Sequence, residues 1–362
     1  MTASVLPTYN AVSVYLAEPI KIRRLRASAR KEDVRMRQIL LTAPGELVER
    51  QVERPSSVPG EALVRMRRVG VCGSDFHALA GRHPIYTYPR VLGHELAGEI
   101  VETSEHGSSI RVGDKCAIDP YICCRSCRAC RRGFTNCCEQ LRLYGVHVDG
   151  GMQGFLSVRL DLLHKSATLS LDQLALIETL GIGAHAVNRS GLKKGESALV
   201  IGAGPIGLGV IQFAQVAGAS VRVVEPNSWR LKFAQMMGAE GLSQVDNQLA
   251  DVVFDATGSS ESMGASLQFV APAGRLVFVG LTKDPIAIND TLLHRREITI
   301  YASRNSCGQF PRIIRMIEEG RIDTTPWITD RMALTEVPRR LKDLPSKSTL
   351  IKAVVELDDS DA

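Results

Sequence analysis

Apolar and polar positions change their rhythm twice along the chain. From Met36 to about Leu160, short β-type runs such as Arg37–Leu41, Ala62–Val71 and Leu96–Val101 are separated by Gly and Pro turns. Helical periodicity is weak there, which predicts a β-rich, barrel-like portion. Ser170 then opens a helix, with Gln173 at the capping-box position. After Lys194, strands predicted at Ala198–Ile201, Ser220–Val224, Asp251–Phe254, Arg275–Val279 and Glu297–Ala302 alternate with helices beginning near Ile206, Ser228 and Ser260. Such alternation predicts a parallel sheet with helices on both faces. The tail from about Phe310 to Leu357 adds two helical stretches and an apolar final strand, Ile351–Val355. No internal repeat or low-complexity segment interrupts the pattern.

The first 35 residues lie outside it. They carry seven Lys/Arg and three Asp/Glu, +4 of the chain's net +5. We read this segment as a disordered extension, an arm or the product of an upstream start, with an Arg-rich transit peptide as the alternative. The remaining 327 residues are near neutral, so charge gives no case for a nucleic-acid groove. The longest uncharged stretch, Ser197–Val221, contains six residues that are Gly or Pro and reads as strand, turn and helix rather than a membrane span. No secretory signal pattern is present at the start of the sequence. With 362 residues and 44% hydrophobic content, the chain is long enough for two cores.

Two patterns carry chemistry. The first is Gly202-Ala203-Gly204-Pro205-Ile206-Gly207, between a predicted strand and a predicted helix, with Glu225 ending the next strand. Gly202 allows the tight turn, Gly204 lets backbone approach a pyrophosphate, and Gly207 lets helix and strand pack closely. The helix N-terminus offers unpaired N–H groups to phosphate. Glu225 would accept from the ribose hydroxyls and repel a 2′-phosphate, which favours NAD over NADP.

The second is a cysteine cluster. Six of nine cysteines fall between Cys123 and Cys138. Cys124, Cys127, Cys130 and Cys138 suit a closed tetrahedral zinc site, with Cys123 and Cys137 as adjacent alternatives. Such clustering favours metal ligation over disulfides and a reducing compartment, the cytoplasm. A further set, in Val71-Cys72-Gly73-Ser74-Asp75-Phe76-His77 and Gly93-His94-Glu95, offers a thiolate, an imidazole and one or two carboxylates for an exchangeable metal site.

The stretches VCGSDFH, PRVLGHELAGEIV, GVHVDGGM, ALIETLGIGAHAV, ALVIGAGPIGLG, VVFDATG and GRLVFVGL, together with the cysteine lobe, resemble the zinc-dependent medium-chain alcohol dehydrogenases. The likeness runs from Met36 to the end. Within that family the chain looks most like the sugar-acid and sorbitol-type branch, particularly the L-galactonate 5-dehydrogenase-like group, on NCCE, GVHVDGG, LHRREITI and Ser303-Arg304-Asn305.

The resemblance implies an α/β fold in which a Rossmann doubly wound parallel sheet domain is inserted in a β-rich GroES-like catalytic domain. The implied division is 1–35 extension, 36–180 catalytic domain with zinc lobe, 181–308 NAD-binding domain and 309–362 return to the catalytic domain. It implies one catalytic zinc on Cys72 and His94, with Glu95 and Glu178 as carboxylates acting directly or through water, and one structural zinc. It implies Ser74 and His77 as a proton relay, with Asp75 orienting His94. Cofactor contacts are expected from Gly202, Gly204, Pro205, Ile206, Gly207, Glu225, Arg230, Thr257, Val279, Gly280 and Arg304. The implied reaction is hydride transfer between a secondary alcohol and NAD. The substrate is a sugar acid or a polyol, and the assembly a homodimer or homotetramer. Arg82 and Arg304 are candidates to meet a substrate carboxylate. A non-catalytic dinucleotide-binding protein or a zinc-organised interaction module would be the competing classes.

Two departures from the family pattern stand out. Thr179 replaces the usual Pro after Glu178. The stretch Ala239–Ala250 is too short for a strand plus a crossover helix, so a pared-down sheet edge is expected.

Overall fold

The computed structural model describes residues 35–83, 85–103, 109–242, 244 and 247–362. The expected N-terminal extension, except Arg35, lies outside the described residues. Arg35 itself begins a strand, Arg35–Ala43.

The β-rich half is built on a seven-stranded sheet. Its long central strand, Glu61–Val71, pairs antiparallel with Glu95–Thr103, with Phe155–Arg159 and with the C-terminal strand Lys352–Glu356. Ala353 lies opposite Val71, so the end of the chain closes over the beginning of the site. Two short helices, Gly73–Leu79 and Arg128–Arg131, interrupt the expected run of strands. Both begin at candidate ligand cysteines.

The second sheet has six parallel strands, in the order Glu240–Leu242, Ser220–Val224, Ser197–Ile201, Ala250–Asp255, Val270–Phe278 and Thr299–Ala302. This is the doubly wound order, whose ligand crevice opens at the carboxyl ends of the strands. The shortened segment keeps its edge strand, reduced to three residues at Glu240–Leu242. No crossover helix follows it among the described residues.

Helix Ile177–Ser190 joins the halves. It opens one residue after helix Leu171–Ala175, whose cap is the expected pair: Ser170 Oγ accepts from Gln173 N, and Gln173 Oε1 accepts from Ser170 N. Its Leu180 and Ala184 belong to the same buried cluster as Ala97 and Ala117 of the β-rich sheet and Val200 and Phe254 of the parallel sheet. Each such aliphatic or aromatic burial contributes about 1.5–3 kcal/mol. The expected boundary at residue 180 thus falls inside one unbroken helix.

Candidate active site and zinc lobe

Strand Glu61–Val71 ends by delivering Cys72 to the start of helix Gly73–Leu79. Asp75, 2% exposed, accepts from the Cys72 N–H at 2.8 Å and fixes that turn. Strand Glu95–Thr103 begins beside it, with Gly70 opposite Glu95. A Cβ on Gly70 would stand 2.0 Å from Glu95 Oε2, so glycine is required for the carboxylate to occupy this space. One ligand atom from each of Cys72, His94 and Glu95 lies within 4.8 Å of the others. His94 Nδ1 and Ser74 Oγ are buried and have no hydrogen-bond partner.

Glu95 is not free. Lys352 Nζ donates to its two oxygens at 2.6 and 2.9 Å and to the Val71 carbonyl at 3.3 Å. The pair is 2% and 1% exposed. Burial lowers the Lys352 pKa, but the charges of Glu95 and Cys72 outweigh it and the net direction is upward. Lys352 was hidden in what the sequence shows as an apolar strand. The available signal was a lone cation within Ile351–Val355.

Glu178, in the first turn of helix Ile177–Ser190, lies outside the thiol–imidazole–carboxylate group. Its carboxylate accepts from the Tyr121 hydroxyl, and both side chains are buried. Burial raises the Glu178 pKa against the pull of His94. The His94 pKa also moves upward: burial lowers it, but Cys72, Asp75 and Glu178 together raise it well above the usual value. Asp75 acts on His94 as a neighbouring charge, while its hydrogen bond goes to Cys72. Thr179 falls inside the helix without breaking it, fully buried, with its hydroxyl unpaired.

His77 lies one helical turn after Ser74 and is exposed. Towards the mouth, His83 packs edge-on against Tyr86 at 5.8 Å, and His83 Nδ1 and Tyr86 OH are buried and unpaired. Burial, then the charges of Arg90, Arg304 and Arg142, hold the His147 pKa down. Arg82 is exposed.

In the lobe, the Sγ atoms of Cys124, Cys127, Cys130 and Cys138 lie within 4.8 Å of one another, and all nine cysteines of the chain are free. Cys123 and Cys137 lie outside this group. Backbone N–H groups point at the sulfurs: Cys124 N to Cys138 at 3.2 Å, Cys127 N to Cys124 at 3.3 Å and Gln140 N to Cys138 at 3.3 Å. Hydrogen bonds from Ser126 and Cys127 lower Cys124 to about 6, a thiolate near neutral pH. Four converging thiols with one already favoured as thiolate fit a zinc ion. The Cys72 set fits too, since its buried imidazole nitrogen is unpaired and its donors are zinc ligand types.

On the parallel sheet, Gly202 has φ +94°, and a Cβ on Gly207 would stand 1.9 Å from Gly202 O. Gly204 caps helix Pro205–Val216, with Pro205 at its first position and Ile206 next. Glu225, 6% exposed, accepts from Ala203 N at 2.8 Å and Asn227 N at 2.9 Å. Both oxygens are thereby aimed before any ligand arrives. Thr257 donates to Asp255 at 2.6 Å through its hydroxyl, and Val279 and Gly280 donate to the Asp255 carbonyl at 2.9 and 3.0 Å. Arg230 turns its Nε to the Leu350 carbonyl at 3.4 Å, and Arg304 turns its Nε to the Asn136 carbonyl at 3.2 Å.

A β-rich half holding a thiol–imidazole–carboxylate cluster beside a doubly wound sheet defines a dinucleotide-dependent oxidoreductase with a metal site. The comparisons agree. Residues 58–168 match the alcohol dehydrogenase GroES-like domain and residues 205–319 the zinc-binding dehydrogenase domain. The chain is 36% identical over 335 residues to L-galactonate-5-dehydrogenase of Escherichia coli K12, covering 88% of this chain and 98% of that protein. It is 30% identical over 316 residues to sorbitol dehydrogenase of Bacillus subtilis 168, covering 82% and 90%. An alcohol dehydrogenase of Escherichia coli CFT073 complexed with NADH superposes with a TM-score of 0.85 at 28% identity, covering 89% and 99%. A zinc-binding dehydrogenase of Sinorhizobium meliloti 1021 bound to NADP gives 0.84 at 28%, with the same coverage. The chain belongs to the zinc-dependent medium-chain alcohol dehydrogenases, in the sorbitol-like branch, and is a zinc-dependent oxidoreductase.

Proposed function

We propose that this enzyme oxidises a secondary alcohol of a sugar acid, with NAD as cofactor, one catalytic zinc and one structural zinc. The observation that carries the reading is the Cys72, His94 and Glu95 group, whose imidazole and carboxylate are buried and whose imidazole has an unpaired nitrogen. Cys72 and His94 would hold the catalytic ion, with Glu95 or Glu178 supplying the carboxylate. Cys124, Cys127, Cys130 and Cys138 would hold the structural one. When bound, zinc supplies Lewis-acid polarisation of the alcohol oxygen and the nicotinamide accepts hydride.

The chain's own residues handle position and protons. Ser74 Oγ, buried and without a partner, is available to relay the alcohol proton, accepting it as its own hydroxyl proton is passed on. His77, exposed one turn later, can pass it to solvent. Asp75 holds the Cys72 turn by accepting from its N–H. Glu225, fixed by two backbone N–H groups, is a preset acceptor for the ribose diol and an obstacle to a 2′-phosphate. Gly202, Gly204, Pro205, Ile206 and Gly207 form the pyrophosphate turn. Arg230, Thr257, Val279, Gly280 and Arg304 border the rest of the cofactor in this reading.

The sugar-acid choice is supported by the galactonate dehydrogenases among the relatives and by the Arg90, Arg142 and Arg304 charges around His147. A neutral polyol is the second reading, favoured by the exposed Arg82 and by the commitment of Arg304 Nε to Asn136. A matched sugar acid and polyol, assayed with Arg82 and Arg304 each changed to Lys and Ala, separates them. If the wild type prefers the polyol, or neither arginine alters the ratio, the sugar-acid reading fails.

The reading divides the chain into a catalytic portion, 36–180 with a return at 309–362, and a cofactor portion, 181–308. Strand Lys352–Glu356 beside Glu61–Val71 supports the return. Strand Thr299–Ala302 is the last in its sheet and offers an edge for pairing two copies into a homodimer or homotetramer. No helix among the described residues is long and apolar enough to cross a membrane. The free thiols support a cytoplasmic location.

A further inference from the structure

The cysteine lobe does more than enclose its own thiols. Its short turn Thr135–Cys137 carries Asn136, only 3% exposed. Asn136 Nδ2 donates to the Arg304 carbonyl at 2.8 Å, and Arg304 Nε donates back to the Asn136 carbonyl at 3.2 Å. The same Nδ2 lies 3.3 Å from Nε2 of His185, on the helix that carries Glu178. Beside this pair, Cys307 Sγ donates to the Gly133 carbonyl at 3.3 Å. On the other side, Ser306 packs against Gly181 so tightly that a Cβ there would stand 2.8 Å from its Oγ.

Residues 303–307 are therefore held between the lobe and helix Ile177–Ser190. They leave the carboxyl end of strand Thr299–Ala302, the sixth of the parallel sheet. A doubly wound sheet binds a dinucleotide outside these carboxyl ends, one mononucleotide half on each side of the switch point. Glu225 marks the adenosine half, so 303–307 borders the nicotinamide half. Asn305 has φ +53°, an uncommon conformation for a residue with a side chain, so the segment's shape depends on its contacts. Four polar atoms at this junction, Asn136 Oδ1, His185 Nδ1, Ser303 Oγ and Ser306 Oγ, are buried and unpaired. That leaves the Asn136 amide donor as the principal polar tie to the Arg304 backbone.

We propose that Asn136 is a positioning residue for the cofactor: by clasping the Arg304 backbone it holds 303–307 in its binding shape, so that the cysteine lobe sets dinucleotide affinity. This rests on the dinucleotide-dependent reading of the site. Asn136→Ala removes the amide donor of the clasp and leaves the Arg304 Nε bond to the backbone carbonyl, while Asn136→Asp keeps the shape but has no N–H to give. In zinc-loaded full-length protein, titration with NADH by fluorescence should show Kd rising about five- to tenfold in both variants, the size of one lost buried hydrogen bond. Hydrogen exchange at 303–307 should quicken in both, with zinc content unchanged. Asn136→Ser gives the same expectation if the alanine variant is insoluble. Unchanged NADH affinity in the variants, or full recovery of affinity in Asn136→Asp, overturns the clasp. A wild type that binds neither NADH nor NADPH overturns the cofactor reading itself, and the exchange measurement then reads the clasp separately.

Discussion

Replacing Lys352 by Met tests the buried ion pair at the centre of the site. Lys352 and Glu95 are 2% and 1% exposed, with nitrogen–oxygen distances of 2.6 and 2.9 Å. Methionine fills similar volume but leaves the Glu95 carboxylate buried beside Asp75 and Glu178 without its cation. Breaking one side of such a pair costs about 3–5 kcal/mol, because the remaining charge stays desolvated. For a chain of 362 residues, 1 kcal/mol moves the melting temperature by about 1.3 °C, giving an expected drop of about 4–7 °C. The assay is differential scanning fluorimetry on metal-stripped protein, since a cation beside Glu95 would compensate the carboxylate. Adding Glu95→Gln to Lys352→Met should recover most of the loss, because no charge then remains unpaired. A drop below about 2 °C, or a double variant no more stable than the single one, would refute the reasoning.

Three further outcomes follow from the same geometry. Cys127→Ser should lower zinc content by one ion per chain and lower the melting temperature, measured by metal analysis and scanning fluorimetry; unchanged values would sink the lobe assignment. Glu225→Ser should narrow the preference for NAD over NADP in steady-state assays, and equal wild-type turnover with both cofactors would contradict the role of the carboxylate. His164, packed on Phe310 at 5.1 Å, is held down to about 4 by burial. Its unfolded-state value is near 6.5, so the unfolded chain binds more protons between those values and stability is lost as pH falls from about 6.5 to 4. His164→Phe should shrink the fall in melting temperature over that window, and an unchanged fall would remove His164 from the acid response.

What was legible in the sequence depended on how local the physics is. The Gly202–Gly207 turn, Glu225 and the capping pair Ser170 and Gln173 act over a few residues or one strand, so spacing revealed them. The four-cysteine lobe was visible as a cluster, but choosing Cys124 over Cys123 and Cys138 over Cys137 required the convergence of sulfur atoms in space. Lys352 and Tyr121 were missed because their partners lie 257 and 57 positions away. Pairing of Ala353 with Val71 brings Lys352 to Glu95, and no local pattern encodes that register. The short Ala239–Ala250 stretch was read as too small for strand and helix together. Parallel pairing to Ser220–Val224 kept the strand, because three ladder residues suffice for an edge. Glu178 was placed among the ligands by family pattern; its contact with Tyr121, in which one carboxylate oxygen accepts, is made only when Tyr121 meets the first turn of Ile177–Ser190.

The central claim is a metal-dependent dehydrogenase site built on Cys72 and His94. Its most direct test follows reduced-cofactor absorbance with NAD and a panel of sugar acids and polyols, for the wild type, the wild type after chelation and zinc restoration, and Cys72→Ala. The account predicts turnover of at least one sugar acid by the wild type, loss on chelation, recovery with zinc and none in Cys72→Ala. Turnover that survives both chelation and Cys72→Ala, or a zinc-loaded wild type that binds NAD yet oxidises no member of either class, would contradict it.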